Sequence, residues 1–158
     1  MRRLPLLLLL PLALAACGGS GSSKSGTTTV AAPSSTGDFV KDGNQVCIAA
    51  DKRIFKIGSL TRDPKGWKQT AESAKRGVRE MRAITPPAAK APEFKKMLRY
   101  ANALALTIQE IHLSLVKKDY DTAAAGQFAA AQLQDRVHQS ARLVGLTFCQ
   151  QQLTNWPA

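Results

Sequence analysis

Three stretches of the chain carry apolar side chains at spacings of three and four, which places them on one face of a helix. The clearest runs Phe94, Met97, Ala101, Leu104, Ile108, Ile111 and Leu115, an a/d seam that predicts a helix over about 92–117. Pro92 and Glu93 suit its first turn, where a missing N–H is tolerated and negative charge is favoured. Before it, Trp67, Ala71, Ala74, Val78 and Met81 mark a second helical face, ended by Thr85-Pro86-Pro87 because proline disfavours helical geometry in the residue ahead of it. After it, Ala130, Leu133, Val137, Ala141, Val144 and Phe148 stripe a helix from about 121 to 151, with an alanine-rich first half. The earliest helix is weaker. Val46, Ala50, Ile54 and Ile57 share a face and Gly58 is a stop, while Asp42-Gly43-Asn44 is expected to delay or break its start.

Four amphipathic segments, no alternating β-branched run and short connections predict an all-α fold, an up-down-up-down four-helix bundle. In that topology the first and fourth helices are antiparallel neighbours, so Cys47 near the start of one meets Cys149 near the end of the other. Gly145, one turn before Cys149, is expected to let the two backbones approach.

The first residues carry a different pattern. Met1-Arg2-Arg3 precedes an unbroken run of Leu, Pro and Ala from Leu4 to Ala13, too short to span a bilayer as a helix and typical of an export signal. Leu14-Ala15-Ala16-Cys17 then resembles a bacterial lipobox. The resemblance implies a lipoprotein signal peptide over 1–16, removed so that Cys17 becomes an N-terminus carrying diacyl and palmitate-type lipid; an ordinary secretory signal is the plainer alternative. Residues 17–37 hold the cysteine and a Gly/Ser/Thr-rich linker that cannot bury enough surface to offset chain entropy, with a root-mean-square reach of about 25 Å. Residues 38–158 form one helical domain.

Cysteine parity agrees with export. With Cys17 lipidated, the three cysteines leave an even pair, Cys47 and Cys149, which an oxidising compartment joins; two buried free thiols are the alternative. Lipobox, linker, an early cysteine in the first helix and the closing Ala141-x-x-x-Gly145-Leu146-x-x-Cys149 together resemble small helical lipoproteins of actinobacteria. That resemblance implies an extracytoplasmic address, on the outer face of the cell membrane or facing the periplasm, and carries no catalytic residue with it.

Candidate chemistry is sparse. His112 and His138 lie beside their seams and about 18 Å apart along a bundle, too far to share a metal. Asp135-x-x-His138 is one acid–histidine pair where a di-iron bundle needs two Glu-x-x-His motifs and further glutamates. Neither G-x-S-x-G, a phosphate-binding loop nor C-x-x-C occurs. A non-enzyme without cofactor or metal is expected.

Charge is more informative. The net charge of the whole chain is +11, and from Cys17 onward 20 basic side chains face 11 acidic ones. The whole excess lies within 51–99, with 14 Lys and Arg against 5 acids. Lys75, Arg76, Arg79, Arg82, Lys90, Lys95, Lys96 and Arg99 gather at the turn between the second and third helices. Cations at the start of a helix oppose its dipole, which makes this end a candidate anion contact through Arg79, Arg82, Lys95, Lys96 and Arg99. A solvated surface that aids solubility is the plainer reading of the charge. Export and the lack of interleaved aromatics argue against nucleic acid.

These features predict a lipid-anchored, non-catalytic binding or interaction module. Its partners are the membrane, reached through Cys17, and anionic lipid or cell-wall polymer. The alternative is a carrier or sensor of a small apolar ligand, held where the alanine-rich half of the fourth helix leaves space beside Leu104, Ile108 and Ile111.

Overall fold

The structure, a computed structural model, describes residues 37–57 and 62–151, the side chains of 150 and 151 excepted. The expected signal segment, Cys17, the linker up to residue 36 and Gly58 lie outside the described residues. Every regular element among those described is helical: α1 (Phe39–Phe55), α2 (Pro64–Arg82), a 3-10 turn (Ala88–Lys90), α3 (Ala91–Val116), α4 (Tyr120–Val144) and α5 (Phe148–Gln151). None of these helices is long and apolar enough to cross a membrane.

Three of the long helices begin on an aspartate. Asp38 accepts the Lys41 N–H at 3.0 Å, Asp63 those of Lys65 and Gly66 at 3.0 and 2.9 Å, and Asp119 that of Thr122 at 3.1 Å. Each supplies an acceptor to N–H groups that have no carbonyl within the helix. The third long helix, α3, uses Pro92 in its first turn instead.

Packing outweighs these caps. The α3 residues Phe94, Met97, Leu104, Ile108, Ile111 and Leu115 are all buried. Each buried side chain of that size contributes about 1.5–3 kcal/mol, against about 1 kcal/mol for a cap, so the seam decides where α3 sits. This helix packs on both α2 and α4, while α1 packs on α2. The core divides into two clusters: one around Phe39, Met81, Phe94, Met97, Val144 and Leu146, the other around Trp67, Leu104, Ile108, Ile111 and Leu115.

Cys47 and Cys149 are joined by a disulfide with Cα atoms 5.2 Å apart, but the route to it differs from the one expected. The fourth helix stops at Val144 rather than running to 151, because Gly145 takes the left-handed conformation (φ 84°) and its N–H returns to Arg142. The chain turns there. Leu146 becomes fully buried, Phe148 is left 42% exposed instead of completing the core stripe, and Cys149 belongs to α5, which packs on both α1 and α4. Gly145 is therefore a helix terminator.

The close approach occurs at Gly43 instead, where a Cβ would stand 2.6 Å from a Leu146 methyl. Asp42-Gly43-Asn44 does not break α1, which runs unbroken from Phe39. Two of its residues receive the C-terminal turn: Gly43 accommodates Leu146, and Asn44 Oδ1 accepts the Phe148 N–H at 3.1 Å. A sequence that reads locally as a turn is held helical by tertiary packing.

Candidate functional site

The α2–α3 connection is built from contacts that bring three parts of the chain to one place. Ile84 is buried behind the end of α2, and Lys90 ends the 3-10 turn. The Lys90 ammonium donates to the Val144 carbonyl at 2.8 Å and lies 5.8 Å above the Phe39 ring, which itself packs edge-on against Phe94 at 5.2 Å. The first turn of α1, the last of α4 and the start of α3 thus meet at this connection. A cation on the free carbonyls of a helix C-terminus is favourably placed, so Lys90 stabilises α4 rather than offering charge to a ligand.

Other cations of the cluster are also engaged. Arg76 pairs with Glu80 at 2.7 Å, and Lys75 donates to Gln109. The five candidate anion contacts divide as follows. Arg82, Lys95, Lys96 and Arg99 line one surface groove of about 520 Å³, together with Pro92, Leu98 and Asn102; Arg79 is exposed on α2 but does not line it. Glu93 approaches Lys96 at 3.4 Å, and Arg82 donates to Asn102 at 3.4 Å. Lys95 and Arg99 are one helical turn apart, a like-charge spacing that costs a helix a few tenths of a kcal/mol.

A neighbouring groove of about 490 Å³ shares Lys96 and runs toward α4. Tyr100 lines it, with the guanidinium groups of Arg99 and Arg136 at 5.6 and 5.7 Å from its ring centre. Chiefly the Arg136 hydrogen bond, aided by Arg99 and Lys96 and opposed by burial, holds the Tyr100 phenol below its ordinary pKa. Arg136 and Tyr100 lie outside the run of charge at the α2–α3 turn. Hairpin register signals them, since a turn centred near Asp119 sets residue 138 level with residue 100.

The histidines have separate surroundings. His112 donates from Nδ1 to the Pro64 carbonyl at 2.8 Å and so ties α3 to the start of α2. Half-buried His138 is held below its ordinary pKa by burial, against the opposing charge of Asp135. Among the described residues no three His, Cys, Asp or Glu side chains gather as a metal site.

A third feature is apolar. Between the two core clusters lies a cavity of about 130 Å³ walled by α1, α2, α3, Val137 of α4 and the Phe148–Cys149 segment of α5. It is not where the alanine-rich half of α4 was expected to leave room. There, Gly126 receives Ile111 so closely that a Cβ would stand 2.7 Å from the Ile111 Cγ1, and Ala123 and Ala130 are buried. Small residues on α4 admit a neighbour; those on the other helices leave a void. Ala50, Ala74, Gly77 and Ala101 all line the cavity, and of the three expected ligand contacts only Leu104 does. Three of those small residues occupy predicted seam positions, which was the available sequence signal. No family model, curated protein or solved structure matches this chain.

Proposed function

We propose that the protein is a lipid-anchored, extracytoplasmic, non-catalytic binding module whose basic end rests on anionic groups of the envelope, phosphate-bearing lipid headgroups foremost. The observation that carries this reading is the position of Phe39. It is the first residue of α1, where the linker joins the helices, and it packs beneath Lys90 and against Phe94 at the same connection that leads into the groove of Arg82, Lys95, Lys96 and Arg99.

An up-down-up-down path is the topology that these contacts favour, because it returns the ends of α2 and α4 to the level at which α1 begins. A Gly/Ser/Thr-rich tether of about twenty residues has, by its composition, a root-mean-square reach of about 25 Å, short enough for the basic groove to meet the bilayer. One acyl anchor and one basic surface reinforce each other in the two-signal manner, each weak alone.

Metabolic labelling with an alkyne fatty acid, followed by fractionation, tests the anchor. Wild-type protein is expected to be labelled and to sediment with membranes, and Cys17→Ser to be unlabelled. A Cys17→Ser protein that keeps its label would refute lipidation at that residue.

A further inference from the structure

The cavity between the core clusters has the properties of a ligand site distinct from the basic groove. We propose that it binds a small apolar molecule bearing a basic amine, with the body among Ala74, Met97 and Leu104 and the amine on the Asp51 carboxylate.

Size sets the body. A volume of about 130 Å³ is close to that of engineered protein cavities, about 150 Å³, that hold benzene, so a six-carbon ring or short branched chain fits. The void is not forced by backbone geometry. Gly77 lies inside α2, where helix formation favours alanine over glycine, and a Cβ there would meet only ordinary contacts, 3.5 Å from Ala50 and 3.9 Å from Arg53. Space is therefore left at a position where an alanine would fill some of it and strengthen the helix.

Charge sets the head. Among the described residues of the lining, Asp51 is the one ionisable side chain. Burial raises its pKa, as expected of a carboxylate partly withdrawn from water, and among the described residues Asp51 forms none of the ion pairs. The adjacent Arg53 is turned to Glu80 at 3.0 Å and to Ser73 at 3.3 Å. An incoming ammonium group would supply a partner, and a hydrogen bond between two ionised groups is roughly twice as strong as a neutral one. The Cys47–Cys149 disulfide ties α1 to α5 in the lining, and Phe148, also in the lining, is 42% exposed.

The probes are benzylamine, toluene and benzoate, which share a ring and differ in charge. Each is titrated into methyl-labelled full chain carrying Cys17→Ser, with NMR detection at pH 7. Benzylamine is expected to shift the methyls of Ala74, Met97 and Leu104 and to bind about tenfold more tightly than toluene, with benzoate weakest. Asp51→Asn should bring benzylamine to the affinity of toluene. Ala101→Leu, which fills the cavity, should abolish binding of all three; Gly77→Ala should weaken it several-fold in a protein whose folding the change favours. Absence of methyl shifts with millimolar benzylamine, equal affinity for benzoate, or an unaltered Asp51→Asn would each overturn the proposal. None of these residues belongs to the basic groove, so either site can fail without the other.

Discussion

One substitution made at two glycines separates helix propensity from packing. Gly77 and Gly126 both lie inside long helices, and Gly→Ala at either position gains about 1 kcal/mol of intrinsic helix stability. Their surroundings differ. At position 77 the nearest atom to a new Cβ is Ala50 Cβ at 3.5 Å, ordinary van der Waals contact. At position 126 the Ile111 Cγ1 would be 2.7 Å away, close to the Ile111 backbone rather than at the free end of a flexible chain. Overpacking of this kind costs about 1–3 kcal/mol. Gly77→Ala should therefore stabilise by up to about 1 kcal/mol, while Gly126→Ala should be neutral or destabilising by up to about 2 kcal/mol. Propensity cancels in the comparison, leaving about 1–3 kcal/mol for the contact itself. Urea unfolding followed by far-UV circular dichroism measures it, with a midpoint difference on the order of 1 M at the slopes usual for a domain of this size. Equal midpoints for the two variants would refute the close α3–α4 packing and, with it, the reason the alanine-rich half of α4 leaves no cavity.

The disulfide closes a loop of 102 residues, for which chain entropy sets an upper stabilisation of about 4–5 kcal/mol. Reductant is expected to lower the urea midpoint by up to about 2–4 M, and an unchanged midpoint would show that the bridge does not constrain the unfolded chain. Stability should also depend on pH through His138. Its folded pKa lies below the unfolded value because burial opposes the charged form, so the unfolded chain binds more protons. The resulting stability is fully present above the unfolded pKa of about 6.5 and is lost as pH falls through the depressed folded value. His138→Leu should flatten the stability profile below about pH 6.5, and an equal slope in that variant would assign the effect elsewhere.

Much of the helical layout is legible in the sequence because α2 and α3 are bound through regular seams. Trp67, Val78 and Met81 are buried at the spacing that announces them, as are Phe94, Met97, Leu104, Ile108, Ile111 and Leu115. The errors occur where one residue type serves two conformations. Asp42-Gly43-Asn44 reads as a turn, yet all three are helical; small and polar side chains are what the incoming Leu146 and Phe148 N–H require there. Gly145 continues the spacing of its stripe, and only its left-handed backbone shows that α4 has ended.

The candidate sites divide along the same line. Arg82, Lys95, Lys96 and Arg99 share a groove because the last three lie within little more than one turn of α3, a spacing readable without coordinates. Lys90 is indistinguishable from them in sequence, but it stands against the Val144 carbonyl. Alanines are densest along α4, which points to space there. The cavity lies instead where Ala50, Ala74, Gly77 and Ala101 converge from three helices, a matter of relative height that one helical period cannot supply.

The central claim concerns the basic end and its surface. Vesicle co-sedimentation of the full chain carrying Cys17→Ser, compared with the same chain after reversal of Arg79, Arg82, Lys95, Lys96 and Arg99 to glutamate, tests it without the lipid. Each exposed cation near an anionic bilayer contributes about 1 kcal/mol, so four groove residues should strengthen partitioning by on the order of 1000-fold, less where Glu93 offsets Lys96. The expected result is binding to phosphatidylglycerol vesicles at low salt that is weak on neutral vesicles, falls as salt rises and is lost on charge reversal. Equal co-sedimentation of the reversed and unreversed chains on anionic vesicles at low salt would contradict it.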